Sequence, residues 1–358
     1  MRRSHGVALR RRRFLLPVAA AAALLLSPLA YAAPAEADPA PATCTDVSVP
    51  VTLDLLLSAH VHAQLCVPTG PHHTAIQVLI PGATYNSYYW DFPYQPATYS
   101  YVRAANEAGY PTLNIDRVGT GQSTKEPSLV LTAVAQAAVV HQVIQKLRAG
   151  GVGGTAFSKV ILVGHSLGSG VTEVEASTYH DVDGVVLTGA THHVSVTDLT
   201  QAVLTAAYPA ALDPKFGLSY DVGYITTIPG KRASVFYNAS DTDPAVVAVD
   251  EANKDVVSLT EMAGAVLQLT GPATLGIKVP VLLVQGGQDF LFCSGLIIHS
   301  DCSSSTALYQ QESGYFSPAA QLHVYVLPGA GHDLNLERNA ADYRQTVMSW
   351  ANQFVPDH

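Results

Sequence analysis

Residues 160–164 read Val-Ile-Leu-Val-Gly, an unbroken apolar run, and the chain continues through His165-Ser166-Leu167-Gly168 into a stretch with helical character. A buried-type strand that ends in G-x-S-x-G and passes straight into a helix leaves few folds open. Small residues two positions either side of the serine let the backbone turn tightly, which pushes the serine hydroxyl into the open. Ser166 is therefore the candidate nucleophile.

A serine hydroxyl is a poor nucleophile near neutral pH. It needs a histidine to take its proton and an acid to hold that histidine's tautomer and stabilise the imidazolium. Downstream, Val279-Pro-Val-Leu-Leu-Val-Gln-Gly-Gly-Gln-Asp289 is an apolar run broken by two glycines and closed by an acid. Gln321-Leu-His-Val-Tyr-Val-Leu-Pro-Gly-Ala-Gly-His332 is a second run, ending in a Gly-rich turn and a histidine. The order Ser, Asp, His, with each partner on a loop after its own strand, points to Asp289 and His332. Asp301 and Asp333 are rivals to Asp289, but neither follows a strand.

Two more segments complete a pattern. Ile80-Pro81-Gly82-Ala83-Thr84 follows the apolar run 75–80, and Asp116-Arg117-Val118-Gly119-Thr120-Gly121-Gln122-Ser123 follows the next one. With these motifs in this order, the chain resembles the α/β-hydrolase superfamily from its first strands to its C-terminal helix. The 80–84 segment stands where that family has its oxyanion loop, and 116–123 is similar to its D-x-x-G-x-G-x-S turn. The chain departs from the family at Pro81, where many members carry His. The resemblance implies an oxyanion hole made by the backbone N–H of Leu167 and that of Ala83 or Thr84. It also implies chemistry that needs no cofactor.

Strand-like runs at 46–54, 58–67, 75–80, 111–115, 160–164, 184–188, 279–285 and 321–327 alternate, in the later part of the chain, with helical patterns at 98–109, 131–149, 167–180, 304–314 and 335–354. The expected fold class is α/β, an eight-stranded, mostly parallel sheet with helices on both faces. The core would comprise residues 44–195 and 278–358. Between them the strand rhythm stops, and 196–277 is expected to form an inserted helical cap over the site.

The N-terminus indicates the compartment. Arg10–Arg13 are basic, 15–29 is largely apolar, and Ala30-Tyr31-Ala32 is a small-x-small cleavage signal, so 1–32 reads as a signal peptide, with Ala37 as an alternative cleavage point. Arg11-Arg12-Arg13-Phe14-Leu15 resembles a twin-arginine signal, and ordinary Sec export is the other option. Residues 33–43 read as a Pro/Ala-rich linker. Outside the leader no apolar run approaches the ~20 residues of a membrane span. Residues 1–32 hold six Arg and no acid, so of 19 basic and 28 acidic residues the mature chain keeps 13 and 28, a balance of −15. That charge argues against nucleic-acid partners and stable membrane association, and for neutral small-molecule substrates. Four cysteines in an exported chain read as two disulfides. The pairing with the shortest loops is Cys44 with Cys66 and Cys293 with Cys302.

The His72-His73 and His192-His193 pairs do not read as a metal site, because adjacent histidines point apart on an extended chain and no acid or Cys stands at a metal-site spacing. His165 reads as a packing or loop residue. Tyr85, Tyr88, Tyr89, Trp90, Phe92, Tyr94, Tyr99 and Tyr101 crowd the segment after the 80–84 loop. Tyr85 and Trp90 are the candidate pocket walls, and packing against cap and sheet is the competing reading. The expected activity is a secreted serine hydrolase of the carboxylesterase or lipase type, acting on apolar or aromatic esters. A cofactor-free lyase or perhydrolase on the same site is one alternative, and a binding protein that keeps the fold without turnover is another. Oligomeric state is not legible.

Overall fold

The computed structural model describes residues 42–53, 57–294 and 298–357. The leader expectation lies outside these residues, as does the linker expectation except for Ala42 and Thr43. Those two already belong to the first strand. The chain runs through β1 (Ala42–Leu53), β2 (Leu57–Pro68), β3 (Ala75–Ile80), α1 (Pro96–Tyr99), α2 (Tyr101–Glu107), β4 (Thr112–Ile115), α3 (Ala133–Arg148), β5 (Lys159–His165), α4 (Leu167–Tyr179) and β6 (Gly184–Thr188). The insertion follows, with α5 (Val196–Ala206), β7 (Ala207–Pro209), β8 (Tyr224–Thr227), α6 (Arg232–Phe236), α7 (Pro244–Asn253), β9 (Val257–Ser258) and α8 (Leu259–Leu269). The chain then returns through β10 (Val281–Gly286), α9 (Ser305–Glu312), β11 (His323–Leu327) and α10 (Ala340–Phe354).

Eight strands form one sheet in the order β1-β2-β4-β3-β5-β6-β10-β11. Only β2 runs against the rest, pairing antiparallel with β1 and β4, while every other pairing is parallel. Cys44 stands directly opposite Cys66 in the β1–β2 register and is bonded to it. A parallel sheet is covered on both faces, which is why β3, β5, β6 and β10 are buried at nearly every position. Alternation divides their side chains between two layers. Ile76, Val78, Val160 and Leu162 pack with α3 and α4, while Leu79, Ile161 and Val163 pack with Tyr101 of α2 and Tyr343 and Val347 of α10.

The 196–277 insertion is not wholly helical. Besides α5 to α8 it contains a second sheet, in which β8 pairs antiparallel with β7 and β9. These strands span two to four residues each, too short to leave a period in the sequence. Among the described residues, no helix is long and apolar enough to cross a membrane.

Candidate active site

β5 ends at His165, and α4 begins at Leu167. The single residue between them, Ser166, has φ 53° and ψ −118°, a conformation that L residues adopt only under constraint. The two motif glycines make the turn possible. A Cβ on Gly164 would lie 2.6 Å from the Gly168 carbonyl oxygen, and one on Gly168 would lie 2.3 Å from that of Ile80. The Ser166 N–H donates to the Thr188 carbonyl on β6 at 2.8 Å, which fixes the elbow against the sheet.

His332 leaves the Gly-rich turn after β11, with its ring stacked on Phe292 at 5.7 Å. Its Nδ1 lies 2.8 Å from Asp289 Oδ2, in the loop after β10. Asp289 is fully enclosed. Gln285 Nε2 donates to Oδ2 at 2.5 Å, and the N–H groups of Leu291 and Phe292 donate to Oδ1 at 2.8 and 3.3 Å. With Nδ1 engaged, Nε2 of His332 is the nitrogen left to handle a proton. Burial pulls the imidazole pKa down, but the Asp289 carboxylate more than offsets this, and the net direction is upward from 6.5.

The other two candidate acids lie elsewhere. Asp301 is exposed and bonds to Ser303 within its own loop. Asp333 is buried behind His332, where its carboxyl meets the Tyr85 hydroxyl and, at 3.2 Å, His165 Nε2. Burial, reinforced by Asp250 and opposed by His332 and Arg232, pushes Asp333 up to about 8. Asp333 is thus turned toward Tyr85 and His165, and the acid in hydrogen-bond contact with His332 is Asp289. His165 is buried flat on Tyr89, ring centroids 4.2 Å apart, and burial keeps it neutral.

The loop Pro81–Thr84 lies against the elbow, since a Cβ on Gly82 would come 3.2 Å from that of Ser166. Among the described residues, the backbone N–H groups of Ala83, Thr84 and Leu167 donate to no protein group. Thr84 has φ 59°, which for a β-branched residue costs roughly 1–2 kcal/mol.

Ser166, His332, Ala83, Thr84, Tyr85 and Leu167 open on one cavity of about 500 Å3. Its walls are the cap helices α5 and α8, with Ile225, Phe236, Leu291 and Phe292, and no Asp, Glu, Lys or Arg lines it. Trp90 does not reach it. Its indole is fully buried edge-on against Tyr89 and Tyr101, on the α2 and α10 side of the sheet. Most of the aromatic segment packs in the same way, and Tyr85 alone of it meets the cavity. Cys293 and Cys302 are bonded just beyond Asp289. The buried Arg117 and Arg232, with their carboxylates Glu261 and Asp250, were not foreseen as part of the site. Arg117 lies inside the recognised 116–123 turn, whereas Arg232 follows a lysine in an irregular stretch and carries no sequence signal.

The model of the alpha/beta hydrolase family matches residues 77–346. The chain belongs to that family. No curated protein matches its sequence significantly. Among solved structures it is similar to a highly thermostable carboxyl esterase from Bacillus coagulans, with 17% identity, TM-score 0.59, and 87% of this chain and 99% of that one covered. It is also similar to a thermophilic esterase from Thermogutta terrifontis, with 17% identity, TM-score 0.57 and the same coverage of 87% and 99%. The enol-lactonase from Burkholderia xenovorans aligns at 15% identity and TM-score 0.55, covering 85% of this chain and 99% of that one. At such identities the likeness is one of fold.

Proposed function

We propose that this family member is an exported serine hydrolase that cleaves neutral, apolar esters through an acyl-enzyme. The observation that carries the reading is the opening of the strained Ser166 elbow and of His332, paired behind with Asp289, onto one cavity that no Asp, Glu, Lys or Arg lines. Ser166 Oγ attacks the ester carbonyl as His332 Nε2 takes its proton. The oxyanion is met by the N–H of Leu167 and of Ala83 or Thr84. His332 then protonates the departing alcohol, and in the second half it activates the water that releases the acid. The apolar walls offer nothing to a charged acyl or alcohol group, which would lose its hydration without compensation. The leader, the two disulfides and the acidic balance support export.

Fluorophosphonate labelling with peptide mapping, together with hydrolysis of nitrophenyl esters of graded chain length, tests this reading. The label should fall on Ser166, and Ser166→Ala and His332→Ala should each remove nearly all turnover while keeping the fold. Wild-type hydrolysis by Ser166→Ala would overturn the mechanism. Labelling without turnover of any ester would favour a different reaction on the same nucleophile.

A further inference from the structure

The loop that faces Ser166 is held through its carbonyls and the Thr84 hydroxyl, and two buried arginines are among the donors. Arg117 donates from Nε to the Pro81 oxygen at 3.1 Å and from Nη2 to the Gly82 oxygen at 3.0 Å. Arg232 donates from Nη1 to the Thr84 hydroxyl at 2.9 Å, and the Asp255 N–H donates to the Thr84 carbonyl at 2.8 Å. Each arginine is itself anchored on a cap carboxylate. Arg117 pairs with Glu261 of α8, and Arg232 of α6 makes a two-point pair with Asp250 of α7, Nε to Oδ2 at 2.7 Å and Nη2 to Oδ1 at 2.9 Å. The Arg232 guanidinium also lies over the Tyr85 ring, 4.2 Å from its centroid. Arg232, Asp250, Asp255 and Glu261 all come from 196–277.

Buried ion pairs are a poor way to fasten a lid, because desolvation offsets much of their attraction and apolar contacts would serve as well. What a guanidinium adds is direction, through rigid donors aimed at chosen oxygens. In a trans peptide the carbonyl of one residue and the N–H of the next share a plane and point opposite ways. The Arg117 bond to the Gly82 oxygen therefore aims the Ala83 N–H. Arg232 and Asp255 grip Thr84 beyond its N–Cα bond, so they resist the rotation that would relax its φ of 59° and swing its N–H away.

Resting on the serine hydrolase reading, we infer that the cap is part of the oxyanion hole. Arg232, anchored on Asp250, is a positioning residue that holds Thr84 in its left-handed conformation, while Arg117, anchored on Glu261, orients the Ala83 amide. The cap thus acts on the rate of the chemical step as well as on which substrates enter.

The test uses the full enzyme and two variants. Arg232→Met/Asp250→Leu removes both charges together, so neither is left buried alone. Thr84→Val keeps the side-chain shape and deletes only the hydroxyl that Arg232 holds. Melting temperature confirms folding, and kcat and KM are measured on a short nitrophenyl ester beside the rate of fluorophosphonate labelling. Loss of a whole oxyanion donor costs about 100- to 1,000-fold in kcat, so a loosened donor in the double variant should cost about 30-fold or more, with KM within about threefold and labelling slowed in parallel. Thr84→Val should show the same pattern at about five- to tenfold. Wild-type kcat in a folded double variant, or a change confined to KM, would overturn the inference. If the double variant does not fold, an unchanged kcat in Thr84→Val overturns it alone. Ser166→Ala run in parallel separates the two claims: its loss of labelling and turnover upholds the nucleophile whatever the Arg232 result.

Discussion

His332 lies between two opposing influences, burial that favours the neutral ring and an Asp289 carboxylate 2.8 Å away that favours the charged one. The carboxylate prevails, so the folded pKa stands above 6.5. The base must be neutral to accept the Ser166 proton, so kcat/KM should be full at higher pH and fall as pH drops through a value above 6.5. Asp289→Asn removes the raising influence and leaves burial. Its pH limb should move to a value below that of the wild type, on top of a lower maximum rate, and an unmoved limb would mean that Asp289 does not govern this histidine. The positions of Ser166, Asp289 and His332 just beyond strand ends were legible because each follows an apolar run at a Gly-marked turn. Trp90 was misplaced as a pocket wall because a crowd of aromatics says nothing about which rings face inward. Arg232 was invisible for a related reason. A lone arginine reads as surface, and only its fully buried pairing with Asp250 shows otherwise.

At the scale of elements, the eight strands of the sheet were readable as strand-like runs, and their mostly parallel arrangement followed from βα alternation. The cap was readable only as a break in that rhythm. Its strands are shorter than any period, and the helical pattern at 98–109 is split at Ser100, whose hydroxyl instead accepts from the Arg103 N–H to cap α2. Helices α5 and α8 of the 196–277 segment line the cavity, α5 through Ala202 and Val203 and α8 through Met262 and Val266. Ala202→Phe should fill part of the space meant for the chain, shifting the preferred ester to shorter acyl groups, with long esters losing about tenfold or more in kcat/KM and the shortest little affected. A chain-length profile identical to wild type would place the acyl group somewhere other than between these helices. Excising the whole cap would be a less informative experiment, because it would also remove Arg232, Asp250, Asp255 and Glu261 from the loop at 81–84.

Across the whole molecule, the two disulfides are similar bonds set in unlike places. Cys44–Cys66 spans 22 residues and ties the edge pair β1–β2, remote from the cavity in the strand order. Cys293–Cys302 spans nine residues and begins directly after Leu291 and Phe292, whose amides hold Asp289 and whose side chains wall the cavity. The chain-entropy model assigns both bonds about 3 kcal/mol, since the cost of closing a loop grows only slowly with its length. Stability alone therefore does not tell them apart, but kinetics should. Cys44→Ala/Cys66→Ala is expected to lower the melting temperature and leave kcat and KM near wild type. Cys293→Ala/Cys302→Ala should lower the melting temperature by a comparable amount and also reduce kcat, as the Asp289 loop loses its brace and His332 its fixed orientation. Equal kinetic effects from the two pairs would show that the second bond serves stability alone, and that the amide bonds from Leu291 and Phe292 suffice to hold the acid in place.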